Sequence, residues 1–216
     1  MEYDFYVKNY LDALLEGNRV KCSTTVNDFL QERASIKDLY EEVLKVSLYQ
    51  VGELWEANKI SVANEHIATA ITEGILNELF MKLTPQKKFN KKVVVACVEN
   101  EQHQVGVKMV ADIFELQGWD SYFLGNGIPL SELKRYINEV SPDIIAISLS
   151  IYFNYANFLK MVKQIKAEFP SILILVGGQA FSNKKNKLPN EFPNLIYIPD
   201  LNLLENYIKS LNQKLL

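Results

Sequence analysis

Val93-Val-Val-Ala-Cys-Val98 is an unbroken apolar run, and Glu101-Gln-His-Gln-Val-Gly106 follows it after two intervening residues. Six apolar residues in a row leave no polar face, which is the pattern of a strand covered on both sides. Comparable runs recur downstream at Ser121–Leu124, Ile144–Ser148, Ile172–Val176 and Leu195–Ile198. Between them lie stretches with helical spacing of apolar residues: Val105–Gln117, Leu130–Val140, Tyr155–Phe169 and a short one at Gln179–Lys184, with Leu201–Asn212 closing the chain. Strands that alternate with helices pair in parallel, because each crossover returns the chain to the same end of the sheet.

Five such strands predict an α/β fold: a flavodoxin-like, doubly wound, Rossmann-like domain over residues 92–216, with strand order 2-1-3-4-5. Ligands of these sheets bind outside the carboxyl ends of the strands. That rule gathers Glu101–Gly106, Gly125–Pro129, Ser148–Ser150 and Gly177-Gly178 along one edge.

Upstream the period changes. Ile36, Leu39, Tyr40, Val43, Leu44 and Leu54 recur at helical spacing behind a candidate N-cap, Ser35, and a second pattern runs from Ile60-Ser-Val62 to Phe80. An earlier helix spans Phe5 to Leu15 and stops at Gly17-Asn18, and a short one is expected around Thr25 to Gln31. Residues 1–83 therefore read as a helical bundle, and the polar residues 84–91 as a linker.

The 216 residues are 48% hydrophobic and 23% charged, with a formal net charge of -3, an ordinary globular balance that excludes a basic nucleic-acid binder. The basic run Lys184-Lys185 with Lys187 reads as an exposed loop. Cys97 lies in a strand-like run far from Cys22, so paired disulfides are not expected. Met1-Glu-Tyr-Asp4 lacks the basic and apolar regions of a secretion signal, and no apolar run is long enough to span a membrane. A cytoplasmic protein with no membrane partner is the expectation.

The chain has two histidines, His66 and His103. Alone, a histidine after a strand is an ordinary hydrogen-bonded residue, Gly177-Gly178 is a tight turn, Ser148 and Ser150 are helix caps, and Trp55 is a core aromatic. Together they describe something narrower. A glutamate two residues before a histidine can hold the imidazole nitrogen that faces away from a metal, which fixes the tautomer and raises ligand basicity. Small residues at Ser148, Ser150, Gly177 and Gly178 would leave a slot for a flat or tailed ligand.

Glu101-x-His103-x-x-Gly106, then Ser148-x-Ser150, then Gly177-Gly178, resembles the Asp-x-His-x-x-Gly, Ser-x-Leu and Gly-Gly signature of cobalamin-binding Rossmann-like domains. Leu124-Gly125 followed by Pro129 is similar as well, and the resemblance covers about residues 91 to 213. It implies base-off/His-on binding, with the dimethylbenzimidazole tail threaded into the slot and His103 as the lower axial ligand of cobalt. Glu101 would be the partner of His103, Ser148 would contact the tail nucleotide, and Gly106, Gly177 and Gly178 would give room. Gln102, Gln104, Val105, Gly125, Leu149 and Ser150, which lie within or beside these motifs, join the implied cofactor-binding set. Glu101 stands where the family has Asp, and Ser150 where it has Leu.

A helical bundle before such a domain is similar to the cap that covers the upper face of the corrin. Trp55, nine residues, then Glu65-His66 resembles the Trp-x9-Glu-His motif of CarH-type photoreceptors, which use adenosylcobalamin, and Val62 fits the same local pattern. The resemblance implies that Trp55 packs at the upper face and that Glu65 and His66 contact the adenosyl group. Glu56 stands where that family has the histidine that takes the upper cobalt position after photolysis. With the bundle starting near residue 1, no DNA-binding domain is expected, and so no direct contact with nucleic acid.

Three functions stay open. One is an adenosylcobalamin-dependent light sensor or regulatory module, a dimer or tetramer that signals to a separate regulator. Another is a corrinoid carrier loaded with methylcobalamin, serving partner methyltransferases. The third is a plain cobalamin-binding protein, while a flavodoxin-like response module without corrin would make every motif a coincidence. None needs catalytic side chains, since the reactive atom would be cobalt.

Overall fold

The computed structural model describes residues 3–33, 35–85, 87–181, 188 and 192–215. The chain divides into two compact units, Met1–Lys82 and Leu83–Leu216.

The first unit is helical. α1 (Asp4–Leu15) ends where Gly17 N donates to Leu14 O and Asn18 N to Ala13 O, the paired bonds of a Schellman turn. The Asn18 side chain then accepts from Lys21 N and starts α2 (Arg19–Arg33), which buries Cys22, Val26 and Phe29 on one face. The single turn α3 (Ile36–Asp38) is capped by the Ser35 hydroxyl and passes into a π-helical segment, Leu39–Leu44. α4 (Lys45–Glu56) continues it directly. The π segment buries Leu39, Tyr40, Val43 and Leu44 together with the carboxylate residue Glu41, which pairs with Lys45 one turn later. α4 closes with Asn58 N to Trp55 O and Lys59 N to Leu54 O, Asn58 taking the left-handed conformation. Ser61 and Asn64 form a reciprocal capping box that opens α5 (Val62–Phe80).

In the second unit the described residues form a five-stranded sheet of order β2-β1-β3-β4-β5, every pair parallel. Its strands are β1 (Lys92–Cys97), β2 (Asp120–Gly125), β3 (Ile144–Ser148), β4 (Leu173–Gly177) and β5 (Leu195–Tyr197). The expected α/β class and strand order are therefore those observed. Helices α6 (Val105–Leu116), α7 (Leu130–Val140), α8 (Tyr155–Glu168) and α9 (Leu201–Gln213) cross between or follow the strands. The short helix expected at Gln179–Lys184 is a single 3-10 turn over Gln179–Phe181; its remainder, with Lys184, Lys185 and Lys187, lies outside the described residues.

β1 and β3 occupy the middle of the sheet, and Val94, Ala96, Ile145, Ile147, Ile174 and Val176 pack with Leu133, Phe158 and Val162 of the covering helices. Val93 and Val95, on the alternate positions of β1, are buried as well, and burial on both faces is why these runs carry no polar alternation. No helix among the described residues is long and apolar enough to cross a membrane.

Candidate cofactor-binding site

Cys97, Ser148 and Gly177 stand side by side in register as the last residues of three adjacent strands. The loops that leave them share one edge of the sheet. After β1 the chain turns back through Asn100, in the left-handed conformation, and Glu101 N donates to Val98 O. The turn drives the Glu101 side chain inward, to 1% exposure.

A buried carboxylate needs donors, and Glu101 has them on both oxygens. Oε1 accepts from His103 N at 3.1 Å and meets His103 Nδ1 at 2.5 Å. Oε2 accepts from Ser150 N at 3.1 Å and Ile151 N at 2.9 Å. Burial alone would raise the carboxyl, but the bonds from the His103 ring, Ile151 N and His103 N outweigh it and hold Glu101 down at about 2. The ionised carboxylate keeps the imidazole proton on Nδ1, which leaves Nε2 as the nitrogen that could ligate a metal. The His103 side chain is 52% exposed.

The neighbours of His103 are held as well. Asn126, at the end of β2, donates its backbone N–H to Gln104 Oε1 at 3.3 Å and its Nδ2 to Gln102 O at 3.0 Å. Gly125, with φ +65°, makes space for this: a Cβ there would stand 2.7 Å from Gln104 Oε1. Val105 is buried at the start of α6. Gly106 beside it has no atom within 4 Å of where a Cβ would project, which leaves its backbone open to a bulky ligand.

At the other glycines expected to give room, the protein's own atoms occupy it. A Cβ on Gly178 would lie 2.2 Å from Leu149 O, and one on Gly177 would lie 3.0 Å from Ile198 O. The β3 and β4 loops come together there, with Leu149 N bonded to Gly177 O and Ala180 N to Leu149 O. Leu149 is fully buried in the core, which leaves only its backbone at the edge, while Ser148 is buried and Ser150 half-buried.

Sequence reasoning passed over two features. Asn126 reads as a turn residue in Leu124-Gly-Asn-Gly127, and nothing in the sequence signals its bonds to residues 22 and 24 positions earlier. The other is the loop Ile151-Tyr-Phe153, with Phe153 91% exposed beside the Glu101 anchor. Its apolar run was the available signal.

In the helical unit, Trp55, Val62, Glu65 and His66 gather where α4 ends and α5 begins. Trp55 is 44% exposed, against the usual burial of tryptophan, and Val62 is 52% exposed. Glu65 Oε2 meets His66 Nδ1 at 2.6 Å and Oε1 accepts from Thr69 Oγ1 at 2.8 Å, so that carboxylate is engaged within its own helix.

Among the described residues no three His, Cys, Asp or Glu side chains form a cage for a bare metal ion. A lone, oriented imidazole beside open backbone suits a metal that brings its other ligands with it, as in a macrocycle.

Comparison with known proteins agrees with that chemistry. Two family models, each described as a B12 binding domain, match residues 6–79 and 91–194. The HTH-type transcriptional repressor CarH of Myxococcus xanthus is 26% identical over 179 residues, which cover 81% of this chain and 59% of that protein. Dimethylamine corrinoid protein 3 of Methanosarcina acetivorans is 24% identical over 183 residues, 80% of this chain and 84% of that protein. The chain thus spans less than two thirds of the repressor's length and most of the corrinoid protein's. The solved monomethylamine corrinoid protein of Methanosarcina barkeri shares the fold, with a TM-score of 0.81 at 14% identity over 97% of this chain and 99% of that one. With both of its units matched by B12-binding models, the chain belongs to the B12-binding domain family and is a cobalamin-binding protein.

Proposed function

We propose that the protein binds cobalamin base-off, with His103 as the lower axial ligand, and works as an adenosylcobalamin-dependent light sensor or regulatory module. The observation that carries the binding mode is the buried, doubly anchored Glu101 holding Nδ1 of a half-exposed His103. Gly106 would let the ligand lie against the first turn of α6, and Ser148 would meet its tail. Adenosylcobalamin, when bound, supplies a cobalt–carbon bond that visible light breaks.

The sensor half of the proposal rests on the α4–α5 corner. Trp55 at 44% and Val62 at 52% exposure keep apolar surface in water unless something covers them. We assign that covering to the upper ligand, with Trp55 and Val62 excluding water from it and Glu65 and His66 as polar contacts. Each oxygen of Glu65 meets one partner, His66 or Thr69, and keeps acceptor capacity for a ribose hydroxyl.

A second reading, a methyl-corrinoid carrier for partner methyltransferases, is favoured by the coverage of the corrinoid proteins, 84% of dimethylamine corrinoid protein 3. Absorbance spectra with adenosylcobalamin, in the dark and after green illumination, separate the two. A stable dark complex that converts to a new protein-bound species supports the sensor. A complex that loses its cofactor in light, together with equal affinity for methylcobalamin, supports the carrier.

A further inference from the structure

Each residue from 101 to 104 is pinned by a different contact. Glu101 is anchored on the β3 loop, His103 N donates to Glu101, and His103 O accepts from Cys97 Sγ at 3.5 Å. The residues on either side of His103 are held by a single residue of another loop. Asn126 Nδ2 reaches Gln102 O and Asn126 N reaches Gln104 Oε1. The second bond is possible because Gly125 has no Cβ where Gln104 Oε1 sits.

We infer that Asn126 is a positioning residue for axial ligation, bracketing His103 so that the imidazole is oriented before cobalamin arrives. A ligand residue whose preceding carbonyl and following side chain are both held loses less conformational freedom on binding, and that saving appears as affinity. Glu101 fixes the ring about its own axis, whereas Asn126 fixes the loop that carries the ring. The two act from opposite sides: Glu101 ties the loop to β3, and Asn126 ties it to β2. The side-chain donor matters because Gln102 offers only its carbonyl there, so a carboxylate in place of the amide removes the bond and sets two acceptors against each other.

The inference rests on the cobalamin reading above. The test compares wild type, Asn126→Ala and Asn126→Asp by equilibrium titration with adenosylcobalamin, the absorbance spectrum of the bound fraction, and the melting temperature without cofactor. Asn126→Asp preserves shape and the backbone N–H, so it serves if Asn126→Ala folds poorly. Both variants should bind about tenfold more weakly, and part of the bound cobalamin should show the spectrum of unligated or own-base cobalamin. A lower melting temperature with wild-type affinity and spectrum would overturn the inference and leave Asn126 a turn residue. Wild type that takes up no cobalamin would remove the site's reading and this inference with it. Wild type that binds through histidine while Asn126→Asp matches it would overturn this inference alone.

Discussion

Glu101 sets the acid response of the apoprotein. Its carboxyl is held at about 2, below the ordinary 4.5, so its anchoring is complete above about pH 4.5 and is lost as the pH falls toward 2. Glu101→Gln puts an NH2 where one oxygen accepts two N–H donors, so one of the two donor pairs loses its acceptor, and should destabilise the fold by about 2 kcal/mol at pH 7. The difference from wild type should shrink below pH 4, which urea melts at the two pH values would show. Two glycines make an opposite pair. Gly178→Ala places a Cβ 2.2 Å from Leu149 O at φ +105° and should lose at least about 2 kcal/mol of stability. Gly106→Ala meets open space in the first turn of α6 and should stabilise the apoprotein by up to about 1 kcal/mol. It should nonetheless weaken cobalamin binding, and thermal melts alongside cofactor titrations would separate the two effects. At this scale the sequence showed which residues carry chemistry and not what surrounds them. The Glu101–His103 pair was legible from a two-residue interval, whereas Asn126 acts across a sheet edge that no interval encodes.

Elements with a strong local signal were legible, and those governed by packing were not. The capped start at Ser35 and the stops at Gly17-Asn18 each left a residue signature that the hydrogen bonds bear out. α2 is longer than the stretch Thr25–Gln31 expected of it. Its first turns carry Ser23, Thr24 and Thr25, poor helix formers, two of which return their hydroxyls to Val20 O and Lys21 O. The π-helical segment is invisible to a period count because one extra residue per turn shifts the pattern without breaking it. A π segment that buries Glu41 against Lys45 is held by packing of the surrounding helices rather than by propensity. The α4–α5 corner depends on its caps. Ser61→Ala removes the reciprocal box and should destabilise the helical unit by about 1 kcal/mol, fraying the turn that holds Glu65 and His66. Helical circular dichroism on melting checks it. Trp55→Ala, at a site 44% exposed, should change stability little while weakening adenosylcobalamin more than methylcobalamin. Equal losses for both would favour the carrier.

Over the whole molecule, the strand order followed from alternation and chirality because a sheet buried on both faces leaves few arrangements of short crossovers. The same topology brings Cys97, Ser148 and Gly177 to one edge, and with them the loops that surround His103. The closeness of the β3 and β4 loops at Gly178 was not legible, since a Gly-Gly pair reads equally as a turn, a slot or a close approach. In the proposed function the work divides along the two units: His103 and its braces would ligate cobalt, and the exposed Trp55 corner would read the upper ligand. The central claim is that cobalt is held by His103. Electron paramagnetic resonance of the protein with cob(II)alamin tests it most directly, using protein grown with nitrogen-15-labelled histidine. A nitrogen-14 ligand splits each cobalt line into three, and a nitrogen-15 ligand splits it into two. The account predicts triplets with unlabelled protein, doublets with labelled protein, and no doublets in labelled His103→Ala. Triplets that persist in the labelled protein would mean that the cofactor's own base stays on cobalt, and would contradict it.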